Sequence, residues 1–442
     1  MALTPELILS QVAAQVELQG PRRYIVAFSG GLDSTVLLDL TRRALPRIPG
    51  ADLLAVHVDH GLHADSAQWA SRCADVARRF GVAFALQREQ VSYEPGDSPE
   101  ARARSVRYAA LLKHCRPGDV LLTAHHRDDQ LETVLLQLLR GAGSAGLAGM
   151  PVLRQLQAGA WHFRPLLDTA REQLHTYAGA HGLEWSDDPS NVDQRYDRNY
   201  LRHVVLPLVR DRWPGAAVAV SRAARHSAAM ARLAHQVGAQ DALAAAAGDT
   251  FDCSRVGTLS GERVANALRQ WLVATGLPTP DTAQFTQVMR LIDSQPGEAC
   301  VSWPGCEVRR YGTRLYAMQP LAALTDGFTA TLSAGASVTL PAGLGRLVYA
   351  EDEAGLAAGE CETLSVRFRR GGESIRPKGG GQTRKLRNLY QEARVVPWMR
   401  PRIPLLYAGD QLAAVADLWQ EEALSSAGRG LRLRWEDHPA LY

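Results

Sequence analysis

The chain has 442 residues, of which 46% are hydrophobic and 21% are charged, which provides for a buried core and excludes a disordered chain. It has no run of about 18 apolar residues and its six cysteines form no CxxC pair, so we expect a protein of the reducing cytoplasm with no membrane partner, zinc ribbon or disulfide framework. The net charge is only +3, but eleven Lys and Arg residues stand against two acidic ones between residues 366 and 402, which indicates a polyanionic partner.

The first half of the chain alternates strand-like and helix-like segments from residue 22 to about residue 185. Short runs of β-branched and aromatic residues predict four strands, at Arg22–Phe28, Leu53–Asp59, Val82–Leu86 and Val120–Ala124. Helical patterns follow them at Ser34–Leu45, Asp65–Phe80, Pro99–His114 and Asp129–Arg140. This alternation predicts an α/β domain with a doubly wound parallel sheet, in which ligands bind at the carboxyl ends of the strands.

The remainder of the chain predicts two further domains. Alanine-rich helical spacing at 218–248, with helical patterns at Gly261–Gly276 and Asp281–Ser294, indicates a mainly helical middle domain that ends in a hairpin-like stretch from Cys300 to Ala317. We therefore predict domains at residues 1–215, 216–345 and 346–442. The last is a small mixed α+β domain that carries the basic segment.

The most informative stretch joins the first strand to the first helix and reads Ser29-Gly30-Gly31-Leu32-Asp33-Ser34. Two glycines permit a sharp turn and let backbone amides approach an anion, and the N-terminus of the following helix favours a phosphate group. Hydroxyl groups at both ends of the stretch add hydrogen-bond donors. Asp33 is the exception, because a carboxylate beside a phosphate is repulsive unless a cation such as Mg²⁺ lies between them or the reaction needs the charge.

This loop resembles the pyrophosphate loop of the ATP-pyrophosphatase family, whose members cleave ATP between the α and β phosphates. Within that family, the chain is most similar to the tRNA(Ile)-lysidine synthetases, and the resemblance implies an adenine-nucleotide hydrolase-like N-terminal domain. It covers most of residues 22–215 and 365–420. The segments that carry it are Val56–Leu62, Glu100–Tyr108, Ala124–Thr133, Arg140–Pro151, Arg164–Leu167, Asp187–Asn191, Asp197–Arg202, Arg367–Glu373, Arg384–Leu386 and Pro404–Tyr407.

The resemblance implies a ligase that joins free L-lysine to the wobble cytidine of an isoleucine tRNA with a CAU anticodon. ATP adenylates the C2 oxygen of the base, and the ε-amine of lysine then displaces AMP. The product, lysidine, pairs with A, so codon recognition changes from AUG to AUA. ATP as co-substrate and Mg²⁺ are the implied cofactors, and the resemblance leaves a homodimer open.

Two alternatives remain, the first another enzyme of the ATP-pyrophosphatase family and the second a protein of a different class. One is a tRNA thiolase that uses an external sulfur carrier, against which the absence of cysteine motifs argues. The other is a non-catalytic RNA-binding protein with a vestigial nucleotide fold. Intact carboxylates at Asp33, Asp129 and Glu132 argue against it, because a site without chemistry has no need of them beside a phosphate.

The family resemblance and the chemistry of the side chains together suggest roles for individual residues. ATP binding is assigned to the 29–34 loop and to His60, which the resemblance places at the adenine pocket. Asp129 and Glu132 are spaced i, i+3 on one helix and form a carboxylate pair that can hold the ammonium group of lysine. Mg²⁺ is assigned to Asp33 and Asp129, although which carboxylate serves which cation stays open. The predicted catalytic residues are Asp33, Arg104, His125, Asp129 and Glu132.

Basic residues in two regions are candidates for tRNA binding. Arg198, Asn199 and Arg202 resemble the Asp-Arg-Asn-x-Leu-Arg segment of the family and could contact phosphates or the anticodon loop. The alternative for the two arginines is a structural salt bridge near Asp197. In the basic C-terminal segment, the candidates for an electrostatic tRNA platform are Arg370, Arg384 and Lys385.

Overall fold

The computed structural model describes residues 3–8, 23–61, 66–90, 99–156, 159–186, 193–294, 299–324, 327–426 and 428–441. The chain divides into two compact units, residues 1–233 and 234–442. The three domain ranges inferred from the sequence stay predictions. The Asp187–Asn191 motif lies outside the described residues.

A six-stranded sheet forms the centre of the first unit. Its strands run in the order β3-β2-β1-β4-β6-β5, and all neighbours are parallel except β5, which is antiparallel to β6. The four predicted strands are confirmed, whereas β5 and β6 were not predicted, because each is three residues long and contains polar side chains that interrupt the apolar run. The bounds are β1 Arg23–Ala27, β2 Asp52–Asp59, β3 Ala83–Arg88, β4 Val120–Leu122, β5 Leu153–Gln155 and β6 Trp161–Phe163.

Helices cover both faces of this sheet. Tyr24 and Val26 of β1 pack in one apolar core together with α1, whereas Ile25 points to the other face and packs with Leu111 of α3. Burial on both faces explains why these strands are continuous apolar runs in the sequence. The helices are α1 Leu32–Ala44, α2 Ser66–Arg79, α3 Pro99–Leu112, α4 Arg127–Leu139, α5 Ser144–Leu147, α6 Arg171–Ala180, α7 Asp197–Tyr200 and α8 Leu206–Arg212, with a π-helical turn at Leu201–Val205.

The strand order creates a ligand crevice at a definite place. β1 pairs with β2 on one side and with β4 on the other, so the direction of the strand order reverses between β1 and β4. In open α/β sheets the loops at the carboxyl ends of such strands diverge and leave room for a ligand. The loops at residues 28–31 and 123–126 flank this point.

The second unit contains antiparallel sheets. Helix α9 spans Ala216–Ala245, and the five-stranded sheet β7-β8-β11-β10-β9 shares an apolar core with helices α10 Gly261–Ala274 and α11 Thr282–Asp293. The predicted Cys300–Ala317 hairpin is part of this sheet as a three-stranded meander. Its strands are β7 Ala246–Ala247, β8 Thr250–Asp252, β9 Cys300–Trp303, β10 Cys306–Tyr311 and β11 Arg314–Met318.

The C-terminal part contains three smaller sheets, β12-β15-β18-β19-β20, β13-β14-β21 and β16-β17. The fold class is therefore confirmed. In the described part of the chain, no helix has both the length and the apolarity needed to cross a bilayer. The remaining elements are β12 Thr329–Ser333, β13 Ser337–Thr339, β14 Arg346–Asp352, α12 Ala358–Cys361, β15 Thr363–Arg367, β16 Ser374–Ile375, β17 Arg384–Lys385, α13 Leu386–Glu392, β18 Leu405–Ala408, β19 Gln411–Val415, β20 Trp419–Gln420 and β21 Gly430–Glu436.

Candidate active site at the carboxyl edge of the first sheet

The loop after β1 has the backbone geometry of an anion site. Gly30 has a φ angle of +82°, and a Cβ atom there would lie 2.6 Å from Cys73 Sγ, so only glycine fits. Gly31 precedes α1 in an extended conformation, and no side chain caps the helix. The Ser34 hydroxyl donates to the Gly31 carbonyl oxygen at 3.0 Å and lies 3.1 Å from Ser29 Oγ. The first backbone N–H groups of α1 are thus left for an anion.

Hydrogen bonds from neighbouring segments hold this loop in place. The Phe28 N–H donates to the Val56 carbonyl oxygen at 2.8 Å, and His57 Nδ1 lies 2.9 Å from the Phe28 carbonyl oxygen. Burial lowers the pKa of His57, so the neutral ring donates from Nδ1 to this carbonyl. The Ser186 N–H donates to the Gly30 carbonyl oxygen at 2.9 Å. The loop is therefore fixed from β2 and from the segment after α6.

Asp33 has an unusual environment for a carboxylate. Its side chain is 33% exposed, and its nearest cationic group is His126 Nε2, which lies 3.6 Å from Oδ2. The other oxygen, Oδ1, is buried and has no hydrogen-bond partner among the described residues. Because buried polar atoms almost always have a hydrogen-bond partner, this oxygen is a candidate ligand for a bound cation.

The loop after β4 begins helix α4 with an unexpected cap. His126 is the N-cap: its Nδ1 accepts from the Asp128 N–H at 3.2 Å, and its own N–H donates to Asp129 Oδ2 at 3.0 Å. The Asp128 side chain pairs with Arg210 at 2.5 Å. The cap holds Asp129 beside the His126 ring, whose Nε2 lies 3.5 Å from Asp129 Oδ2 and 3.6 Å from Asp33 Oδ2.

Two arginines hold the predicted lysine-binding carboxylates. Glu132 is 1% exposed and receives Arg198 Nε at 2.7 Å and Arg202 Nε at 2.6 Å. Asp129 Oδ1 lies 3.1 Å from Arg202 Nη2 and 3.3 Å from Arg198 Nη2. Burial opposes ionisation of Asp129, but His126 and Arg198 outweigh it and hold the pKa well below its usual range. The four side chains form a closed cluster of two positive and two negative charges.

This cluster changes the interpretation of the predicted tRNA-binding segment. Arg198 and Arg202 do form structural ion pairs, but with Asp129 and Glu132; Asp197 instead lies 3.6 Å from Arg140. The side-chain amide of Asn199 donates to the Asp193 carbonyl oxygen at 2.9 Å. The i, i+4 spacing of the arginines was visible in the sequence, whereas their partners were not.

The structure brings His125 and Arg104 close to the same crevice. His125 follows β4, and its Nδ1 lies 2.8 Å from Thr123 Oγ1. Burial, with the charges of Arg164 and Arg104, lowers the pKa of His125 to about 3, so the ring is neutral. Arg104 lies over the ring of Tyr108 at 5.3 Å and has no ion-pair partner within the described ranges. Thr123 and Arg164 were not predicted as functional residues, because no local pattern assigns either of them a role.

His60 lies just after β2, where the sequence predicted an adenine pocket. Both ring nitrogens are buried and lack a hydrogen-bond partner in the part of the chain that the structure describes. Burial and the charge of Arg107 lower the pKa of this imidazole, which favours the neutral ring. A neutral, unpartnered imidazole can donate to or accept from a heterocyclic base.

Acid should destabilise the fold through two buried histidines. Burial lowers the pKa of His125 to about 3 and that of His162 to about 2, from about 6.5 in an unfolded chain. Their contribution to stability is thus present above about pH 6.5 and is lost as the pH falls from there toward about 3, because unfolding takes up protons. We expect the melting temperature to fall between about pH 7 and about pH 5, and His162→Gln to make this fall shallower. His226→Gln, at an exposed position on α9, is the control, and an unchanged slope in His162→Gln would contradict the prediction.

The basic segment forms an open cleft within the second unit. The cleft has a volume of about 590 Å³ and is lined by Gln382, Thr383, Arg384, Lys385, Arg387, Asn388 and Gln391. Lys385 and Arg387 are exposed, whereas Arg384 pairs with Glu392. Arg370 is also exposed, and its backbone N–H donates to Glu373. Cations together with amide side chains suit a phosphate backbone.

Comparison with known proteins reveals the family. A PP-loop domain model matches residues 5–209, a TilS substrate binding domain matches residues 251–316, and a TilS substrate C-terminal domain matches residues 364–435. The tRNA(Ile)-lysidine synthase of Methylococcus capsulatus is 40% identical over 405 residues, which cover 89% of this chain and 90% of that protein. That of Alkalilimnicola ehrlichii is 38% identical and covers 99% of both chains. The chain belongs to the tRNA(Ile)-lysidine synthase family.

Membership in the tRNA(Ile)-lysidine synthase family confirms the resemblance inferred from the motifs. The relative from Coxiella burnetii, at 36% identity over 93% of this chain and 92% of that protein, adds a third full-length match. The PP-loop match supports the use of ATP at the loop after β1. Members of the tRNA(Ile)-lysidine synthase family are ligases, which also confirms the predicted class of enzyme. The roles of single residues stay predictions.

Proposed function

We propose that this chain uses ATP to adenylate the C2 oxygen of the wobble cytidine in a CAU-anticodon isoleucine tRNA and then attaches L-lysine through its ε-amine. AMP and pyrophosphate are released. One observation carries the proposal: an uncapped helix start suited to an anion and two buried carboxylates follow β1 and β4, the strands between which the strand order reverses. Such a site can bind a triphosphate and an amine together, as this reaction requires.

The test of this function is AMP formation with matched tRNAs. We expect AMP to form only when lysine, ATP and an isoleucine tRNA with a CAU anticodon are all present. A transcript that differs only by U at the wobble position is the control. Equal AMP formation with both tRNAs would overturn the proposal, and incorporation of sulfur instead of labelled lysine would favour a thiolase.

The phosphate groups are handled by the loop and by Arg104. When the C2 oxygen attacks the α phosphorus, the bond to the β phosphate breaks and negative charge accumulates on the departing pyrophosphate. Backbone N–H groups at the start of α1 and the hydroxyls of Ser29 and Ser34 are positioned to accept such an anion. Arg104, which has no carboxylate partner within the described residues, supplies positive charge beside it.

The residues present fit a magnesium ion only in part. In the described part of the chain, no group of three or more His, Cys, Asp or Glu side chains is arranged to hold a metal ion. Mg²⁺ typically needs only one or two carboxylates beside substrate phosphates and water, and when bound it would neutralise phosphate charge. The unpartnered Oδ1 of Asp33 fits this role. Asp129 fits less well, because both its oxygens already accept hydrogen bonds.

Lysine binding is assigned to the cluster of Asp129, Glu132, Arg198 and Arg202. The carboxylates attract an ammonium group, and Nη1 of each arginine makes no hydrogen bond within the described residues, so it can pair with a carboxylate. A free amino acid carries both charges, which this cluster complements. A protonated ε-amine cannot attack, so lysine must lose a proton in the site, and the lowered pKa of Asp129 makes this carboxylate a poor acceptor for it.

The basic cleft is proposed to bind the tRNA backbone. We expect Lys385→Gln with Arg387→Gln to weaken tRNA binding and to flatten its dependence on salt by about one unit of slope for each lost phosphate contact. Arg346→Gln with Arg432→Gln, whose side chains pair with Glu436 and Asp352 in the β13-β14-β21 sheet, removes the same charge and is the control. Filter binding at several salt concentrations measures both slopes. An unchanged slope in the double variant would place the platform elsewhere.

A homodimer remains part of the proposal. Several large apolar side chains of the first unit are exposed, among them Leu138, Leu139, Tyr200, Leu208 and Trp213. Exposed apolar side chains of this size commonly mark protein contacts. Sedimentation equilibrium of the full chain is expected to show a dimer that Leu208→Asp with Trp213→Asp dissociates, and a monomer in the unaltered chain would contradict this.

A further inference from the structure

A chain of hydrogen bonds leads away from the active site beneath His125. Thr123 Oγ1 lies 2.8 Å from His125 Nδ1 and 2.9 Å from His162 Nε2. The other ring nitrogen of His162, Nδ1, lies 3.1 Å from Arg164 Nη2. His162 is 0% and Arg164 is 5% exposed, so water does not compete for most of these contacts.

Which atom donates in each of these hydrogen bonds follows from the buried end of the chain of hydrogen bonds, at Arg164. A guanidinium can only donate, so the Nδ1 atom of His162 must accept from Arg164. The neutral His162 ring then carries its proton on Nε2 and donates to the Thr123 oxygen. Thr123 is left with its own O–H to donate, and the acceptor is His125 Nδ1. The neutral His125 ring therefore carries its proton on Nε2, the nitrogen for which the described residues provide no hydrogen-bond partner.

Arg164 is suited to set this direction. It donates Nη1 to the Pro151 carbonyl oxygen at 2.7 Å, and no carboxylate pairs with it in the described part of the chain. Its Nε atom is buried without a hydrogen-bond partner. Burying an unpaired guanidinium costs free energy. A glutamine at position 164 could instead turn its amide oxygen toward His162, and every hydrogen bond from there to His125 would then reverse its donor and acceptor. Only a side chain that can donate but never accept, such as arginine, fixes the donor and the acceptor of each hydrogen bond.

We propose that Arg164 is a positioning residue that, through His162 and Thr123, fixes His125 as a hydrogen-bond donor at Nε2. The inference rests on the proposed function in one respect, namely that His125 faces the reacting groups. Both transfer steps place negative charge on oxygen, first on pyrophosphate and then on AMP, and an Nε2–H group directed into the crevice stabilises such charge. An Nδ1–H tautomer would present a lone pair there instead and would repel it.

The first experiment determines which ring nitrogen of His125 carries the proton, and it does not depend on a measurement of enzyme activity. The full chain is labelled with ¹⁵N-histidine, and the His125 signals are assigned by comparison with His125→Gln. Protonated and unprotonated ring nitrogens have well-separated resonances, so the position of the proton can be read. We expect the proton on Nε2 in the unaltered chain and in Thr123→Ser, and a shift of population toward Nδ1 in Thr123→Val and Arg164→Met. Arg164→Lys, another donor-only side chain, should restore Nε2.

The second experiment is a double-mutant cycle on lysine-dependent AMP formation. Thr123→Val should lower kcat by about 10-fold or more with KM for ATP within about twofold, whereas Thr123→Ser keeps the activity. In the His125→Gln background, Thr123→Val should cause no additional loss, because the relay acts only through His125. A proton on Nδ1 in the unaltered chain, or losses that simply add, would overturn the inference. A chain with the expected resonances but no ligase activity would refute the proposed function and leave the relay intact.

Discussion

Replacing Asp33 with asparagine is expected to lower AMP formation by about 10³-fold while tRNA affinity changes by less than about twofold. Asparagine keeps the shape of the side chain and removes its charge. His126 Nε2 lies 3.6 Å from Oδ2, whereas Oδ1 is buried and has no hydrogen-bond partner among the described residues, so we expect this oxygen to act toward the substrate or its cation. The loss of charge should therefore affect turnover and not folding.

Asp39 provides a matched control on the same helix. It is 0% exposed and pairs with Arg42 at 2.5 Å and Arg43 at 2.7 Å, and it accepts from the Tyr177 hydroxyl at 2.7 Å. Asp39→Asn should lower the free energy of unfolding by about 1–3 kcal/mol and leave kcat nearly unchanged. Urea unfolding and AMP release, measured on both variants, separate the two effects. If Asp33→Asn retained a tenth of the activity, or lost stability as Asp39→Asn does, the role assigned to Asp33 would be wrong.

Glu132→Gln is expected to reduce both stability and the transfer of lysine. Its carboxylate receives Arg198 and Arg202 at 2.7 and 2.6 Å in a site that is 1% exposed. Removal of one partner from a buried ion pair leaves uncompensated charge, which typically costs about 3–5 kcal/mol of unfolding free energy. We expect the formation of lysidine to fall by at least about 10²-fold, and the release of pyrophosphate, which reports adenylation, to fall less.

An exposed ion pair supplies the control for this variant. Glu184 lies 2.9 Å from Arg79, and the two side chains are 74% and 57% exposed. Glu184→Gln should change the free energy of unfolding by less than about 1 kcal/mol and leave both reaction steps intact. Two results would contradict the role of Glu132 in lysine binding. One is a free energy of unfolding for Glu132→Gln equal to that of Glu184→Gln, and the other is an equal fall in pyrophosphate release and lysidine formation.

Much of the site could be predicted because its determinants are local in sequence. The turn at Gly30 and Gly31 and the start of α1 lie within one short stretch, and backbone stereochemistry connects them directly. The spacing of Asp129 and Glu132 places both on one helix face for the same reason. The order of these loops at one sheet edge also follows from the alternation of strands and helices.

Other features depend on contacts between distant residues and left no local signal. Arg198 and Glu132 are 66 positions apart, and the relay joins Thr123 to His162 across 39 positions. Nothing in the spacing of Arg198 and Arg202 distinguishes a partner on α4 from a tRNA phosphate. Tyr390, which lies in the basic segment and could have been a stacking platform for bases, is 0% exposed and belongs to the core.

The sequence by itself determined the fold class, the family and the anion-binding loop, because periodicity, turn residues and motif order are properties of neighbouring residues. Only the tertiary structure decided which charges meet. It paired Asp129 and Glu132 with two arginines, left Oδ1 of Asp33 without a hydrogen-bond partner among the described residues, and placed the Thr123 hydroxyl beside His125 Nδ1. The energy of a charge depends on burial and on distances of a few ångströms, and packing between elements far apart in the chain sets both.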